Sequence, residues 1–317
     1  MESVASVWMW GGFLLFVLAM LAIDLGVFHR QAHSVSFKEA AIWSAVWVSL
    51  ACVFTGGVYV WHGPDRALEF AAGYLIEKAL SVDNIFVFVV IFSTFAIPPR
   101  SQHRVLFWGV LGALVMRAVF ILAGGAFLAR FHWAMYVFGG ILAVTGIKLL
   151  LQRDTAMRPD QNPVVRWFQK VMPVTADLDG EKFTVRRAGR LFATPLLIAL
   201  VAVEVTDLIF AVDSIPAIFA VTRDPFIVFT SNIFAILGLR SMYFLLADII
   251  DRFVYLKVGL SFVLIFVGAK MLLADVYKLP IAWSLLMIVA ILGVSIVASL
   301  WRKPAVGGAV DDPAAEV

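Results

Sequence analysis

Nine runs of predominantly apolar residues, each about as long as a bilayer crossing, are separated by short polar punctuation: roughly 7–28, 40–60, 68–95, 105–128, 133–151, 192–220, 226–247, 254–274 and 281–301. The pattern predicts an all-α, polytopic membrane protein of about nine transmembrane helices. A single transmembrane domain would cover 1–303, and the loose stretch 304–317, with Gly307, Gly308 and Pro313, reads as a flexible cytoplasmic tail. One long polar segment, 153–191, interrupts the rhythm, and its phrase Asp177-Leu-Asp-Gly-Glu-Lys-Phe-Thr-Val followed by Gly189-Arg-Leu-Phe-Ala-Thr predicts a small hairpin under the membrane. The first run has no Lys or Arg before Arg30 and is too long for the core of a secretion signal, so it reads as a retained helix.

Composition agrees with this reading. Apolar residues make up 62% of the chain and charged residues 15%, far from the balance of about a quarter charged in soluble domains. With the N-terminus outside and the C-terminus cytoplasmic, the cytoplasmic segments hold sixteen Lys and Arg, eight of them in the 153–191 linker, against four outside (Arg66, Arg130, Arg223 and Lys278). The positive-inside rule turns that asymmetry into an orientation. A lone cysteine, Cys52, forms no internal disulfide. Lipid is the expected surrounding, nucleic acid is not an expected partner, and self-association into a homo-oligomer is left open.

The chain repeats itself. Glu77-Lys-Ala-Leu-Ser-Val-Asp83-Asn84-Ile85 in the third run matches Asp207-Leu-Ile-Phe-Ala-Val-Asp213-Ser214-Ile215 in the sixth. Leu114-Val-Met-Arg117 matches Leu237-Gly-Leu-Arg240, and Gly146-Ile-Lys148 matches Gly268-Ala-Lys270. Repeat A (68–151) and repeat B (192–274) are each three crossings long, an odd number, so the second copy enters from the opposite face and the repeats are inverted. Inverted repeats that meet near the midplane around an ion site recur among transporters.

A charged side chain near the bilayer centre costs about 3 kcal/mol on insertion scales, so acids repeated at that depth mark a functional site. The candidates are Glu77 and Asp83 in the third run and Glu204, Asp207 and Asp213 in the sixth, with Asn84 and Ser214 as neutral oxygen donors. An oxygen-only donor set favours a hard divalent ion such as Mn²⁺, Mg²⁺ or Ca²⁺ over zinc or copper. The five histidines all fall at predicted helix ends or loops and add nothing to it. Asp24 in the first run is a candidate for the second shell or the access path. Six residues apart, Glu77 and Asp83 point about 120° from each other on an ideal helix, as do Asp207 and Asp213. Pro216, which cannot donate to the carbonyl of Val212, is expected to open the second copy there. Lys78, Arg117 and Arg240 are buried cations that either neutralise unused carboxylates or compete with the ion for them. Gly109, Gly112, Gly139, Gly140 and Gly268 are expected to permit close helix packing.

The phrases Ala22-Ile-Asp24-Leu-Gly-Val-Phe28, Tyr74-Leu-Ile-Glu77-Lys78-Ala-Leu-Ser-Val-Asp83-Asn84, Glu204-Val-Thr-Asp207-Leu-Ile-Phe-Ala-Val-Asp213-Ser214-Ile-Pro216 and Asp224-Pro-Phe-Ile-Val-Phe-Thr-Ser-Asn232 resemble the TerC/Alx family of bacterial integral membrane proteins, over roughly 8–303. The resemblance implies manganese export across the inner membrane, with the family's association with tellurite resistance and alkaline pH. It supplies the identity of the metal, which the residues leave open among hard cations.

The expected function is therefore Mn²⁺ transport, with no enzymatic step and no prosthetic group. Since the chain has no phosphate-binding loop, energy would come from an ion gradient. The rival from another class is a membrane scaffold or assembly protein whose acids only pair with Lys78, Arg117 and Arg240. An intramembrane aspartyl protease would need a Gly-x-Gly-Asp signature, which is missing around Asp83 and Asp213.

Overall fold

A computed structural model describes residues 3–28, 36–131, 133–151, 163–175, 177–187, 189–247, 255–276 and 279–301, with side chains at 24–28, 83, 129, 164 and 213 excepted. Every apolar run falls on a helix: α1 (Val7–Phe28), α2 (Phe37–His62), α3 (Pro64–Thr94), α4 (Pro99–Arg130) and α5 (Ala134–Leu151) come first. A short helix α6 (Pro163–Val171) and a hairpin of β1 (Thr184–Arg187) and β2 (Arg190–Ala193) follow. Then come α7 (Pro195–Phe219), α8 (Pro225–Leu237), α9 (Leu239–Leu246), α10 (Leu256–Leu272) and α11 (Ile281–Trp301).

Local chemistry sets the starts. Proline opens α3, α4, α7 and α8, where its fixed φ suits the first turn and its missing N–H costs nothing. Asp224 caps α8 by accepting from the backbone N–H groups of Phe226 and Ile227. Five described helices are long and apolar enough to cross a membrane, or six if α8 and α9 form one bent span. Of the other apolar runs, α3 carries Glu77, Lys78 and Asp83 through its middle, and α10 is 17 residues long. The outer faces are greasy: Val60 on α2 is 76% exposed and Val294 on α11 70%, as lipid-facing surfaces require.

The run 226–247, expected as one span, is two helices meeting at Gly238 with a 41° bend. Lys78 Nζ, Trp47 and the Gly238 backbone crowd together here. A side-chain carbon added at Gly238 would stand 2.7 Å from that ammonium, so a larger residue would push Lys78 away. The hairpin expected under the membrane is present, with Val185 opposite Phe192 and a left-handed Gly189 at the turn. Thr194 ties it to the start of α7 by donating its hydroxyl to the carbonyl of Lys182.

Close contacts fix the directions of neighbouring helices. Along α3, Glu69 accepts from the hydroxyl of Thr222 and Gly73 lies against Ile218, while Leu80 and Asn84 share a cavity wall with Phe210 and Ser214. Rising numbers on α3 meet falling numbers on α7, so the two run antiparallel. Gly139 of α5 packs on Met271 and Leu272, and Gly146 on Ser261 and Ile265, so α5 and α10 are antiparallel too. That second contact depends on glycine: a carbon added at Gly268 would sit 2.7 Å from the backbone of Gly139 and Ala143. Gly140, expected to serve the same packing, has nothing within 4 Å of such a carbon and belongs to the outer face of α5. Where α1, α2, α3 and α8 meet, the core is aromatic: Phe13, Phe54, Phe70, Phe226 and Phe234 pack ring against ring.

Candidate metal-ion site

Both motif helices are regular from end to end. α3 runs unbroken through Glu77–Asn84, and α7 continues through Pro216 to Phe219. The turn expected to open at 212–216 stays helical, because Pro216 lies three residues from the end of α7 and its ring forfeits only the bond to Val212. On a regular helix, residues seven apart lie about 20° from the same direction. The positions that share a face are therefore Glu77 with Asn84, and Asp207 with Ser214. The side chains of Asp24, Asp83 and Asp213 lie outside the described residues.

Arg117 of α4 fills the space between the two faces. Its Nη1 donates to the carboxylate of Glu77, its Nη2 meets Asp207 Oδ1 at 3.0 Å, and its Nε reaches Asp207 Oδ2 at 3.4 Å. The same Nη1 donates to Ser214 Oγ at 3.2 Å and to Asn232 Oδ1 at 3.4 Å. Asn232, on α8, closes the ring by donating its Nδ2 to the second Glu77 oxygen at 3.2 Å. All of this is out of contact with the surroundings: Glu77 is 0% exposed, Arg117 1% and Asp207 3%. With both acids ionised, two carboxylates against one guanidinium carry one net negative charge among these groups. In low dielectric that charge attracts a cation strongly.

Beside the ring lies a cavity of about 100 Å³, walled by Glu77, Asn84, Arg117, Thr145 and Ser214 on its polar side and by Leu80, Phe210, Leu260 and Leu264 on its apolar side. Since about 10–15 Å³ of such space holds one water, it has room for a cation with part of its hydration shell. The Oδ1 of Asn84 is buried there with no hydrogen-bond partner in the protein, and Ser81 Oγ is similarly unsatisfied. A buried acceptor without a partner costs about 1–3 kcal/mol, which a bound ion or its water would relieve.

The remaining candidates are elsewhere. Glu204, one turn before Asp207, is half-buried against α4, where Gly112 leaves the space its carboxyl group occupies. Lys78 donates to the carbonyl of Ala235 at 3.1 Å and lies 5.8 Å from the ring of Tyr74. Arg240, matched to Arg117 in the sequence pattern, lies beside Trp47, Phe107 and Leu237. Among the described residues no three His, Cys, Asp or Glu side chains form a ready-made metal cage. Sequence reasoning missed Asn232 and Thr145. A lone amide in an otherwise apolar stretch was the available signal for Asn232.

The model of the integral membrane protein TerC family matches residues 62–306. An uncharacterized membrane protein of Myxococcus xanthus is 61% identical over 301 residues, 95% of this chain and 94% of its own. A protein of Escherichia coli K12, provisionally named membrane-bound redox modulator Alx, is 47% identical over 311 residues, 95% and 97% of the two chains. An uncharacterized membrane protein of Rickettsia felis is 42% identical over 296 residues, 93% and 98%. No solved structure matches the chain.

Proposed function

The chain belongs to the TerC family of integral membrane proteins, and from that membership we propose that it exports divalent cations, Mn²⁺ first among them, across the bacterial inner membrane. The observation that carries the proposal is the cavity walled by α3, α4, α5, α7 and α10, into which Glu77 and the unsatisfied Asn84 Oδ1 both face, next to the ion pair of Arg117 with Glu77 and Asp207. Glu77, Asp207, Asn84 and Ser214, with Asp83, Asp213 and Glu204 as further acids, supply the oxygen ligands that Mn²⁺ prefers. Nine crossings, with the N-terminus outside and the C-terminus cytoplasmic, complete the architecture. The opposed directions of α3 and α7, and of α5 and α10, support its reading as two inverted repeats. No enzymatic step and no prosthetic group belong to this function.

Export draws on an ion gradient. Carboxylates can exchange a metal for protons, so proton exchange is the coupling we propose; Mn²⁺ flux in proteoliposomes that ignored an imposed pH gradient would count against it. The redox role in the name of the Alx relatives finds a single cysteine here, Cys52, which offers no dithiol within one chain.

The buried ion triad itself favours a second reading, a scaffold in which Arg117 serves only to neutralise Glu77 and Asp207. Manganese accumulation in cells carrying Asp83→Asn or Asp213→Asn separates the two. Export predicts raised cellular manganese at unchanged protein abundance, and a scaffold predicts no change.

A further inference from the structure

A carrier that alternates between two faces has to cross twice, once loaded and once empty, and the empty crossing is the harder one for a site made of acids. Stripped of its ion, the pair Glu77 and Asp207 would hold two buried negative charges with no compensation, which low dielectric penalises heavily. Arg117 removes that penalty: its guanidinium touches both carboxylates and accounts for the contacts of Ser214 Oγ and Asn232 Oδ1 as well. It also forms part of the wall of the adjoining 100 Å³ cavity, so an ion entering that cavity meets the guanidinium and would displace it from the carboxylates. That one movement would free four oxygen-bearing side chains at once.

We propose that Arg117 is a tethered stand-in for the transported ion: it occupies the carboxylates on the return crossing and must be displaced before the next ion binds. The idea rests on the transport reading above. A guanidinium does not deprotonate in proteins, so the stand-in is present at every physiological pH. Two consequences follow that a purely neutralising arginine would not produce. The arginine lowers the affinity for the ion, because binding includes the work of displacing it. It is also needed for net movement of ions but dispensable for exchange of one ion for another, in which the empty carrier never crosses.

The test uses full-length protein in vesicles, with radiolabelled Mn²⁺ as the probe and two assays: net efflux into ion-free buffer, and exchange against unlabelled Mn²⁺. Wild type performs both. Arg117→Gln is expected to keep exchange while net efflux falls about tenfold or more, and its Kd for Mn²⁺ to tighten about tenfold, the factor expected when a competing state ten times more populated is removed. Arg117→Lys guards against misfolding of the Gln variant: a single ammonium cannot grip both carboxylates as a fork, so Mn²⁺ should bind more tightly while net efflux continues. Equal loss of exchange and net efflux in Arg117→Gln, or weaker or unchanged Mn²⁺ affinity in Arg117→Lys, overturns the role of Arg117 alone. If wild type moves Mn²⁺ in neither assay, the transport reading itself has failed.

Discussion

Replacing Glu77 by glutamine and Arg117 by glutamine removes one charge from the same buried ring, yet the two changes have unequal consequences. In Glu77→Gln the amide oxygen can still accept from Arg117 Nη1, Arg117 keeps both of its bonds to Asp207, and a flip of the Asn232 amide lets its Oδ1 accept from the new NH₂ in place of the Nδ2–Oε2 bond. One guanidinium then faces one carboxylate, a balanced pair, and an ion-pair hydrogen bond becomes one from a guanidinium to a neutral amide oxygen, at a cost of about 1–1.5 kcal/mol. In Arg117→Gln both Glu77 and Asp207 lose their counter-charge inside a site that is 0–3% exposed, the situation for which breaking a buried pair costs about 3–5 kcal/mol. The gap between the variants is thus about 2–4 kcal/mol. Thermal unfolding of purified protein in lipid nanodiscs, followed by tryptophan emission, reads it directly. Glu77→Gln should melt close to wild type, and Arg117→Gln well below both. The same Glu77→Gln protein should have lost most of its Mn²⁺ flux. Equal destabilisation of the two variants, or full flux in Glu77→Gln, would refute the charge accounting on which the site rests.

Asn84→Ala breaks no hydrogen bond to Oδ1, so it should change stability by less than about 1 kcal/mol while weakening Mn²⁺ binding severalfold in a calorimetric titration. Gly112→Ala places a carbon into the carboxyl group of Glu204, and the displaced acid should lower the rate of Mn²⁺ flux with a stability cost of about 1–3 kcal/mol, read from flux assays and melting together. Gly268→Val drives α5 and α10 apart at their backbone contact, and the yield of folded protein by size-exclusion chromatography should fall sharply, whereas Gly140→Ala, with open space around it, should leave that yield as in wild type.

Much of the fold is legible because the bilayer imposes it: apolar runs of crossing length become helices wherever they occur. The bend at Gly238 is less so, since glycine is common in membrane helices and only the crowding by Lys78 and Trp47 distinguishes this one. Within the ring, Glu77 and Asp207 are visible in the sequence as candidate acids and Arg117 as one of three candidate cations, but which cation meets which acid is not. Arg117 stands 40 residues from Glu77 and 90 from Asp207, and nothing local to any of the three announces the ring they form. Acids six apart do diverge on a regular helix, and the structure resolves the conflict by keeping the helices regular and facing Asn84 and Ser214, each seven residues on, toward the site. Opening the helix at Pro216 was unnecessary. Asn232 reaches Glu77 only through the packing of α8 on α3, a contact between residues 155 apart.

Anomalous diffraction from crystals of the full chain soaked in Mn²⁺ would locate the ion itself. One strong peak is expected in the cavity beside Glu77 and Asn84, within coordinating reach of oxygens from Glu77, Asn84 and Asp207, with the guanidinium of Arg117 moved aside. Manganese found only at the protein surface, with Arg117 still bound to both carboxylates, would contradict it.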